Sequence, residues 1–174
     1  MRSRTRLIAP GIVLAILAGC VPKTAPRPAA PPRRVPVPAA APTVVPPGVD
    51  WRDWAVTPGN WRYSGAAGGS IAAFGPPGGE PLLSLRCEQA TRTIEIARAG
   101  GAGSATVRTT STSRVLPLAA TAGGRSVARL PASDSLLDAM GFSRGKFVVE
   151  GAGAPALVLP AWAEVLRVVE DCRD

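Results

Sequence analysis

Residues 93–97 are TIEIA, an alternation of polar and apolar side chains that decides the fold. A period of two turns one face of a β-strand towards a core and the other towards water. Residues 105–109 are ATVRT and alternate in the same way, and the loop between the two stretches is rich in glycine. We therefore predict two half-buried strands joined by a hairpin loop.

Seven other short segments have similar lengths and are separated by turns rich in Gly and Pro. They are residues 60–63, 70–74, 82–87, 113–118, 126–130, 146–150 and 156–159. About nine short strands with frequent turns predict a mainly β domain. We expect an antiparallel β-sandwich or a small barrel.

Two short helices are expected to interrupt the strands. The first covers residues 133–140, with Ser133 or Asp134 as N-cap and Gly141 at its C-terminal end. The second runs from about Ala161 to Asp171, close to the C-terminus. Its apolar stripe follows helical spacing and consists of Trp162, Val165, Leu166 and Val169, extended by Cys172.

The positive charge of the chain is concentrated near the N-terminus. The formal net charge is +8, from 20 basic and 12 acidic residues. Residues 1–50 hold seven of the basic residues and one of the acidic ones, which leaves thirteen against eleven, or +2, for residues 51–174. This balance, with no long basic run, argues against nucleic acid as a partner. The chain has no His, which excludes a Ser-His-Asp triad, a Cys-His dyad and an imidazole metal site. We expect no cofactor and no metal.

The first twenty residues have the pattern of an export signal. Arg2, Arg4 and Arg6 precede an apolar run of thirteen residues, Leu7–Gly19. As a helix this run would span ~20 Å, too short for a hydrocarbon core of ~30 Å. It ends in Leu17-Ala18-Gly19-Cys20, which resembles the lipobox of bacterial lipoproteins. The resemblance implies cleavage before Cys20 and lipid attached to Cys20, so membrane lipid is an expected partner.

The residues after Cys20 predict a tether. Residues 21–50 contain ten of the nineteen Pro residues and six Ala, so Pro and Ala make up most of the segment. Pro removes amide donors and fixes φ, so neither a helix nor a sheet propagates through such a segment. The predicted organisation is a signal peptide at 1–19, a lipidated and disordered tether at 20–50 and a globular domain at 51–174. Val21 stands where Asp favours inner-membrane retention of Gram-negative lipoproteins, which favours the periplasmic face of the outer membrane.

Cys87 and Cys172 remain after Cys20 is assigned to lipid. An export signal places both in an oxidising compartment. No Cys-x-x-Cys motif is present, which favours a structural bridge over a reactive redox pair. We predict a disulfide that joins the last helix to the strand ending at Cys87.

Residues 141–146 contain two motifs of serine enzymes. GFSRG at 141–145 matches Gly-x-Ser-x-Gly, but a helix is predicted before it and a strand after it, the reverse of a nucleophile elbow. Ser143 and Lys146 match Ser-x-x-Lys, yet in a strand positions i and i+3 point to opposite faces. A small Ser-Lys hydrolase is therefore the least favoured alternative function.

A cluster of aromatic and basic residues begins the domain. Trp51, Trp54 and Trp61 could cover the open end of the core, which is the favoured interpretation. Alternatively they form an aromatic platform for a sugar or a peptide, with Arg52 and Arg62 beside them. In that case the domain is a peptidoglycan- or carbohydrate-binding module.

The last forty residues carry a second resemblance. Residues 136–140, 144–149 and 157–160, with a final helix ending at Cys172, give the order helix, strand, strand, helix. This order is similar to the C-terminal part of small exported β-sandwich proteins of the invasion-associated locus B type. The resemblance implies an exported β-sandwich and carries over no catalytic residues. Together these observations predict a non-catalytic envelope lipoprotein whose domain binds another envelope component.

Overall fold

A computed structural model of the chain describes Asp50–Asp174. The predicted signal peptide, the lipidation site Cys20 and all of the predicted tether except Asp50 lie outside the described residues. The predicted globular domain lies within them.

The prediction of a mainly β domain is confirmed, because nine strands form one antiparallel sheet. The strands are β1 (Asn60–Ala66), β2 (Gly69–Gly75), β3 (Leu83–Glu88), β4 (Thr93–Ala99), β5 (Gly103–Arg108), β6 (Ser113–Thr121), β7 (Arg125–Pro131), β8 (Lys146–Gly151) and β9 (Ala154–Pro160). Their order across the sheet is β1-β2-β3-β4-β7-β6-β5-β8-β9. Short 3-10 turns at Trp51–Asp53 and Gln89–Thr91, which the sequence pattern missed, accompany the strands.

Strand β6 connects the two halves of the sheet. Residues 113–118 of β6 pair with β5, whereas only residues 119–121 pair with β7. If the β7 ladder continued, Pro117 would lie opposite Arg129. Pro117 has no N–H to donate, so pairing with β7 ends near this residue while pairing with β5 continues through it.

The two edge strands of the sheet, β1 and β9, are joined through β1 itself and through the segment that precedes it in the chain. The main-chain N–H of Thr57 donates to the Val158 carbonyl of β9 at 2.9 Å, and the Val158 N–H donates to the Thr57 hydroxyl at 2.9 Å. The Trp61 Nε1–H of β1 donates to the Pro160 carbonyl at 2.8 Å. These bonds hold the first and last strands together, so the sheet curls around a single core.

The predicted hairpin between β4 and β5 is wrong. Strand β4 pairs with β3 and β7, and β5 pairs with β6 and β8. Instead, the glycine-rich loop is bonded to two other turns of the chain. The Gly100 N–H donates to the Gly124 carbonyl, and the Gly101 N–H donates to the Ala152 carbonyl. A Cβ at Gly100 would overlap the Ala152 carbonyl, which explains the glycine there.

Helices α1 (Ser135–Gly141) and α2 (Ala163–Arg173) lie close to their predicted positions. Asp134 is the N-cap of α1 and accepts from the Leu136 N–H at 2.8 Å, which confirms one of the two proposed caps. The predicted stripe of α2 is wrong at two positions, because Leu166 is only half-buried and Trp162 lies outside the helix. Helix α2 begins after Trp162, so Trp162 caps it and is 45% exposed, and the buried positions are Val165, Val168, Val169 and Cys172.

The core lies between the curled sheet and α2. Phe74, Leu85, Phe147 and Leu159 are fully buried, and burial of each such side chain contributes about 1.5–3 kcal/mol. The predicted disulfide is present: Cys87 of β3 and Cys172 of α2 are bonded, with their Cα atoms 5.4 Å apart. Among the described residues, no helix combines the length and apolar character that crossing a membrane requires.

Candidate functional site

The predicted cluster of three Trp residues does not form one platform. Trp61 is 5% exposed, packs edge-on against Phe74 with ring centroids 5.4 Å apart, and donates to the Pro160 carbonyl. It is a core residue with a satisfied indole N–H, so no ligand can reach its ring. The interpretation that the Trp residues cover the core holds for Trp61, and the platform interpretation does not.

Arg62 is also separate from the remaining Trp residues. Its guanidinium donates to the carbonyls of Pro76 at 2.9 Å and Gly79 at 3.4 Å, so it braces the turn after β2. Trp54 is half-buried, and its carbonyl accepts from the Lys146 amine at 2.6 Å. Of the five predicted binding residues, Trp51 and Arg52 are the two that line a cleft.

This cleft is formed by three separate segments of the chain and has a volume of about 600 Å³. We call it the basic cleft. Its lining residues are Trp51, Arg52, Thr110, Ser111, Phe142, Arg144 and Lys146. It thus brings together the start of the domain, the loop after β5 and the segment between α1 and β8.

The first wall is the 3-10 turn that begins the domain. The Asp50 carboxylate caps it by accepting from the Arg52 N–H at 3.0 Å, and it also pairs with the Arg52 guanidinium at 3.3 Å. The main-chain bond from Arg52, together with the guanidinium charge, lowers the pKa of Asp50. The guanidinium lies 4.9 Å from the centre of the Trp51 ring, which orients both side chains at the rim.

The second wall is the loop at residues 109–112, which folds around one buried hydroxyl. The Thr109 hydroxyl accepts from the N–H groups of Ser111 at 3.3 Å and Thr112 at 3.0 Å, and it donates to the Thr112 carbonyl at 3.1 Å. These bonds satisfy the N–H groups of Ser111 and Thr112 within the loop. The hydroxyls of Thr110 and Ser111 are consequently held at the cleft.

The third wall depends on two glycines that flank Ser143. A Cβ at Gly141 would overlap the Leu166 side chain, so this glycine lets the end of α1 lie directly against α2. Gly145 has φ +79°, a left-handed conformation that starts β8 after the turn. Between them Phe142 projects outward and is 73% exposed. The Gly-x-Ser-x-Gly pattern is therefore a helix-to-strand turn, as its predicted context indicated.

Ser143 has a structural position in this turn. It is 5% exposed, and its hydroxyl donates to the Lys146 carbonyl at 2.6 Å and accepts from the Thr110 N–H at 3.1 Å. The Lys146 amine donates to Trp54 instead of contacting this hydroxyl. The contact that a Ser-Lys nucleophile needs is therefore not formed between these two residues.

Arg144 differs from every other basic residue that the structure describes. Its N–H donates to the Thr110 hydroxyl at 3.2 Å, which fixes its backbone. Within residues 50–174, it is the basic residue whose side chain has no hydrogen bond, ion pair or ring contact. Arg98 shows the opposite situation: it is 2% exposed and donates to the carbonyls of Ala99, Val149 and Pro155, and burial lowers its pKa.

A second group of residues is bonded to side chains of α2, and we call it the α2 contact region. It consists of Tyr63, Cys87 and Asp138 with their partners on α2. The Tyr63 hydroxyl donates to Asp171 at 2.7 Å, and Arg167 lies 3.9 Å from the Tyr63 ring centre. Arg173 pairs with Asp138 at 2.9 Å. Every contact here is made between side chains of this chain, so the region is structural.

Sequence reasoning missed Thr110, Ser111, Phe142 and Arg144 as cleft residues. Phe142 and Arg144 lay inside the motif that drew attention to Ser143. The sequence signal for Phe142 was an apolar ring in a turn flanked by glycines, where exposure is expected. Thr110 and Ser111 carried no signal, because only the fold brings their loop to residues 142–146. In the described part of the chain, no cluster of three or more Cys, Asp or Glu side chains is arranged to hold a metal ion.

Comparison with known proteins leaves the site to be interpreted from its own geometry. No protein-family model, no curated protein and no solved structure matches the chain. The likeness of residues 136–172 to the invasion-associated locus B type therefore stays a prediction.

Proposed function

We propose that this chain is a non-catalytic lipoprotein of the bacterial cell envelope whose domain binds another envelope component through the basic cleft. Lipid on Cys20 would anchor it, at the periplasmic face of the outer membrane, and residues 21–50 would act as the tether. The disulfide between Cys87 and Cys172 supports export, because such bonds persist in oxidising compartments.

The observation that carries the proposal is the composition of the basic cleft. It combines three basic side chains, two aromatic rings and two hydroxyls, and no acidic residue is among its lining residues within 50–174. A concave site with a few convergent polar groups and apolar walls is typical of a ligand-binding site. Phe142, which is 73% exposed, gives the cleft an apolar contact surface next to its cations.

The alternative of a peptidoglycan- or carbohydrate-binding module fits the same cleft, with a changed set of residues. Trp51 and Arg52 remain from the predicted platform, and Phe142, Arg144 and Lys146 replace Trp54, Trp61 and Arg62. The two proposals therefore share one binding site, and the alternative adds that the bound envelope component is peptidoglycan or another carbohydrate.

The cleft is tested by sedimentation with isolated cell envelopes of the purified chain from residue 20 onward, with Cys20→Ala in every protein so that no lipid can anchor it. The double variant Phe142→Ser/Arg144→Gln removes the exposed ring and the unpaired cation. Its matched control is Val115→Ser/Arg129→Gln, because Val115 is 61% exposed and neither residue lines the cleft. We expect retention of the wild type and the control and loss of the cleft variant. Equal retention of all three proteins would refute the cleft as the binding site.

The anchor is tested separately by the substitution Cys20→Ala. We expect the wild type in the membrane fraction with a lipid mass, and the variant unprocessed and without that mass. Wild-type protein that lacks lipid would refute the anchor, whatever the cleft binds.

A further inference from the structure

Two cationic side chains of the basic cleft remain able to bind a ligand. The Arg144 guanidinium has no partner within the described residues, and its fork presents parallel donors. The Lys146 amine uses one N–H for the Trp54 carbonyl and keeps two. Arg52 is already paired with Asp50, so the charge that a ligand meets is centred on residues 144 and 146.

The main-chain N–H groups of Thr110, Ser111 and Arg144 are already used within the fold. Thr110 donates to Ser143, Ser111 and Thr112 donate to Thr109, and Arg144 donates to Thr110. Phosphate sites are commonly built from several free main-chain N–H groups. The side-chain donors of Arg144 and Lys146 stay available, an arrangement that suits the two oxygens of a carboxylate held by one guanidinium.

The aromatic walls favour a ligand that is more than a free anion. Phe142 is 73% exposed beside Arg144, and Trp51 lies across the cleft beneath the Arg52 guanidinium. Such rings provide an apolar contact area next to polar groups. The hydroxyls of Thr110 and Ser111 add neutral hydrogen-bonding groups that suit ligand hydroxyls or amides.

We infer that the cleft binds a carboxylate of a peptidoglycan-type glycopeptide, with Arg144 as its bidentate partner and Lys146 as the second donor. Phe142 packs against the apolar face of the adjoining sugar. This inference rests on the proposed function and specifies its ligand. An anionic lipid surface is the competing occupant, and the concave shape of the cleft favours a narrow strand over a flat surface.

The test is calorimetric titration of the full-length chain with a soluble disaccharide-peptide fragment of peptidoglycan. A second titration uses the same fragment with its carboxylates converted to amides. Because a hydrogen bond to a charged group is worth about 1.5–3 kcal/mol, we expect the amide form to bind about 10-fold more weakly or worse. Arg144→Gln should lose the same factor and no longer distinguish the two forms. Arg129→Gln, outside the cleft, should behave as the wild type.

The outcomes separate the inference from the proposed function. Equal binding of both fragments, or binding of neither while envelope retention still depends on the cleft, would overturn the inference and leave the proposed function standing. Tighter Arg144-dependent binding to vesicles of phosphatidylglycerol and phosphatidylethanolamine would also overturn it, in favour of lipid. Unchanged unfolding midpoints for both Arg variants establish that binding, and not folding, has been altered.

Discussion

The α2 contact region and the basic cleft use charged and aromatic side chains in opposite ways. Around α2, Arg167 covers Tyr63, Arg173 pairs with Asp138, and the disulfide fixes the helix end. In the cleft, Arg144 has no partner in the described chain, and Phe142 is mostly exposed. The first region satisfies its polar groups within the fold, and the second leaves them available.

The difference indicates which residues were arranged for stability. A partnered arginine and a buried ring lower the free energy of the folded state, whereas a free arginine beside an exposed ring contributes little to it. Substitutions in the α2 contact region and the core should therefore lower stability. Substitutions in the cleft should change binding alone.

The largest expected effect is loss of the disulfide. Cys87→Ala/Cys172→Ala opens a loop with a sequence separation of 85 and should lower the free energy of unfolding by about 4–5 kcal/mol in the chain-entropy model. Urea unfolding of the variant and the wild type measures the difference. A change below about 1 kcal/mol would show that α2 does not depend on its covalent link.

The two Trp residues give a smaller, matched contrast. Trp61→Phe removes one of two donors to the buried Pro160 carbonyl, which keeps the Trp162 N–H, and leaves part of the buried space unfilled, so it should cost about 1–3 kcal/mol. Trp51→Phe, at the half-buried cleft rim, should change stability by less than about 0.5 kcal/mol. Thermal unfolding of both variants checks this order, and equal losses would remove the distinction between core and cleft.

The smallest expected effect is the acid sensitivity of Asp171. The Ser70 hydroxyl has the largest effect and lowers the pKa of Asp171 from 3.8; burial opposes it, and the Tyr63 hydroxyl and the Arg167 charge lower the pKa further. A carboxyl whose pKa is lower in the folded state stabilises above its unfolded pKa, and that contribution disappears as the pH falls below about 4.

Asp171→Asn should therefore destabilise by less than about 1 kcal/mol at neutral pH, because the group is well solvated. The difference from wild type should shrink as the pH falls from about 7 to about 2, since a protonated Asp171 is neutral like Asn. Urea unfolding across this range tests the sign. A difference that does not change with pH would contradict the role given to its charge.

Local patterns predicted the elements of this fold but not their pairing. Alternation at residues 93–97 and 105–109, and short segments between turns rich in Gly and Pro elsewhere, identified all nine strands, since both signals are properties of neighbouring residues. Two features depend on contacts between distant parts of the chain: the pairing of β4 with β7, and the change of β6 from pairing with β5 to pairing with β7 near Pro117. For this reason the loop after β4 was wrongly predicted as a hairpin.

The site was predictable only in part for the same reason. In β1, Trp61 and Tyr63 alternate with Arg62, and the burial of Trp61 agrees with the interpretation that it covers the core. Trp51 and Arg52, named as candidate binding residues of an aromatic platform, line the basic cleft. What marks Arg144 is the absence of a partner within the described residues, and a missing contact leaves no pattern in a sequence.

The most direct test of the account is site-specific photocrosslinking in cells. A photoreactive phenylalanine analogue replaces Phe142 in one strain and Val115 in another; both positions are exposed, at 73% and 61%, and only Phe142 lines the cleft. We predict that position 142 becomes linked to envelope glycopeptide and that position 115 does not. Crosslinks at 115 without any at 142 would contradict the claim that the basic cleft is the binding site.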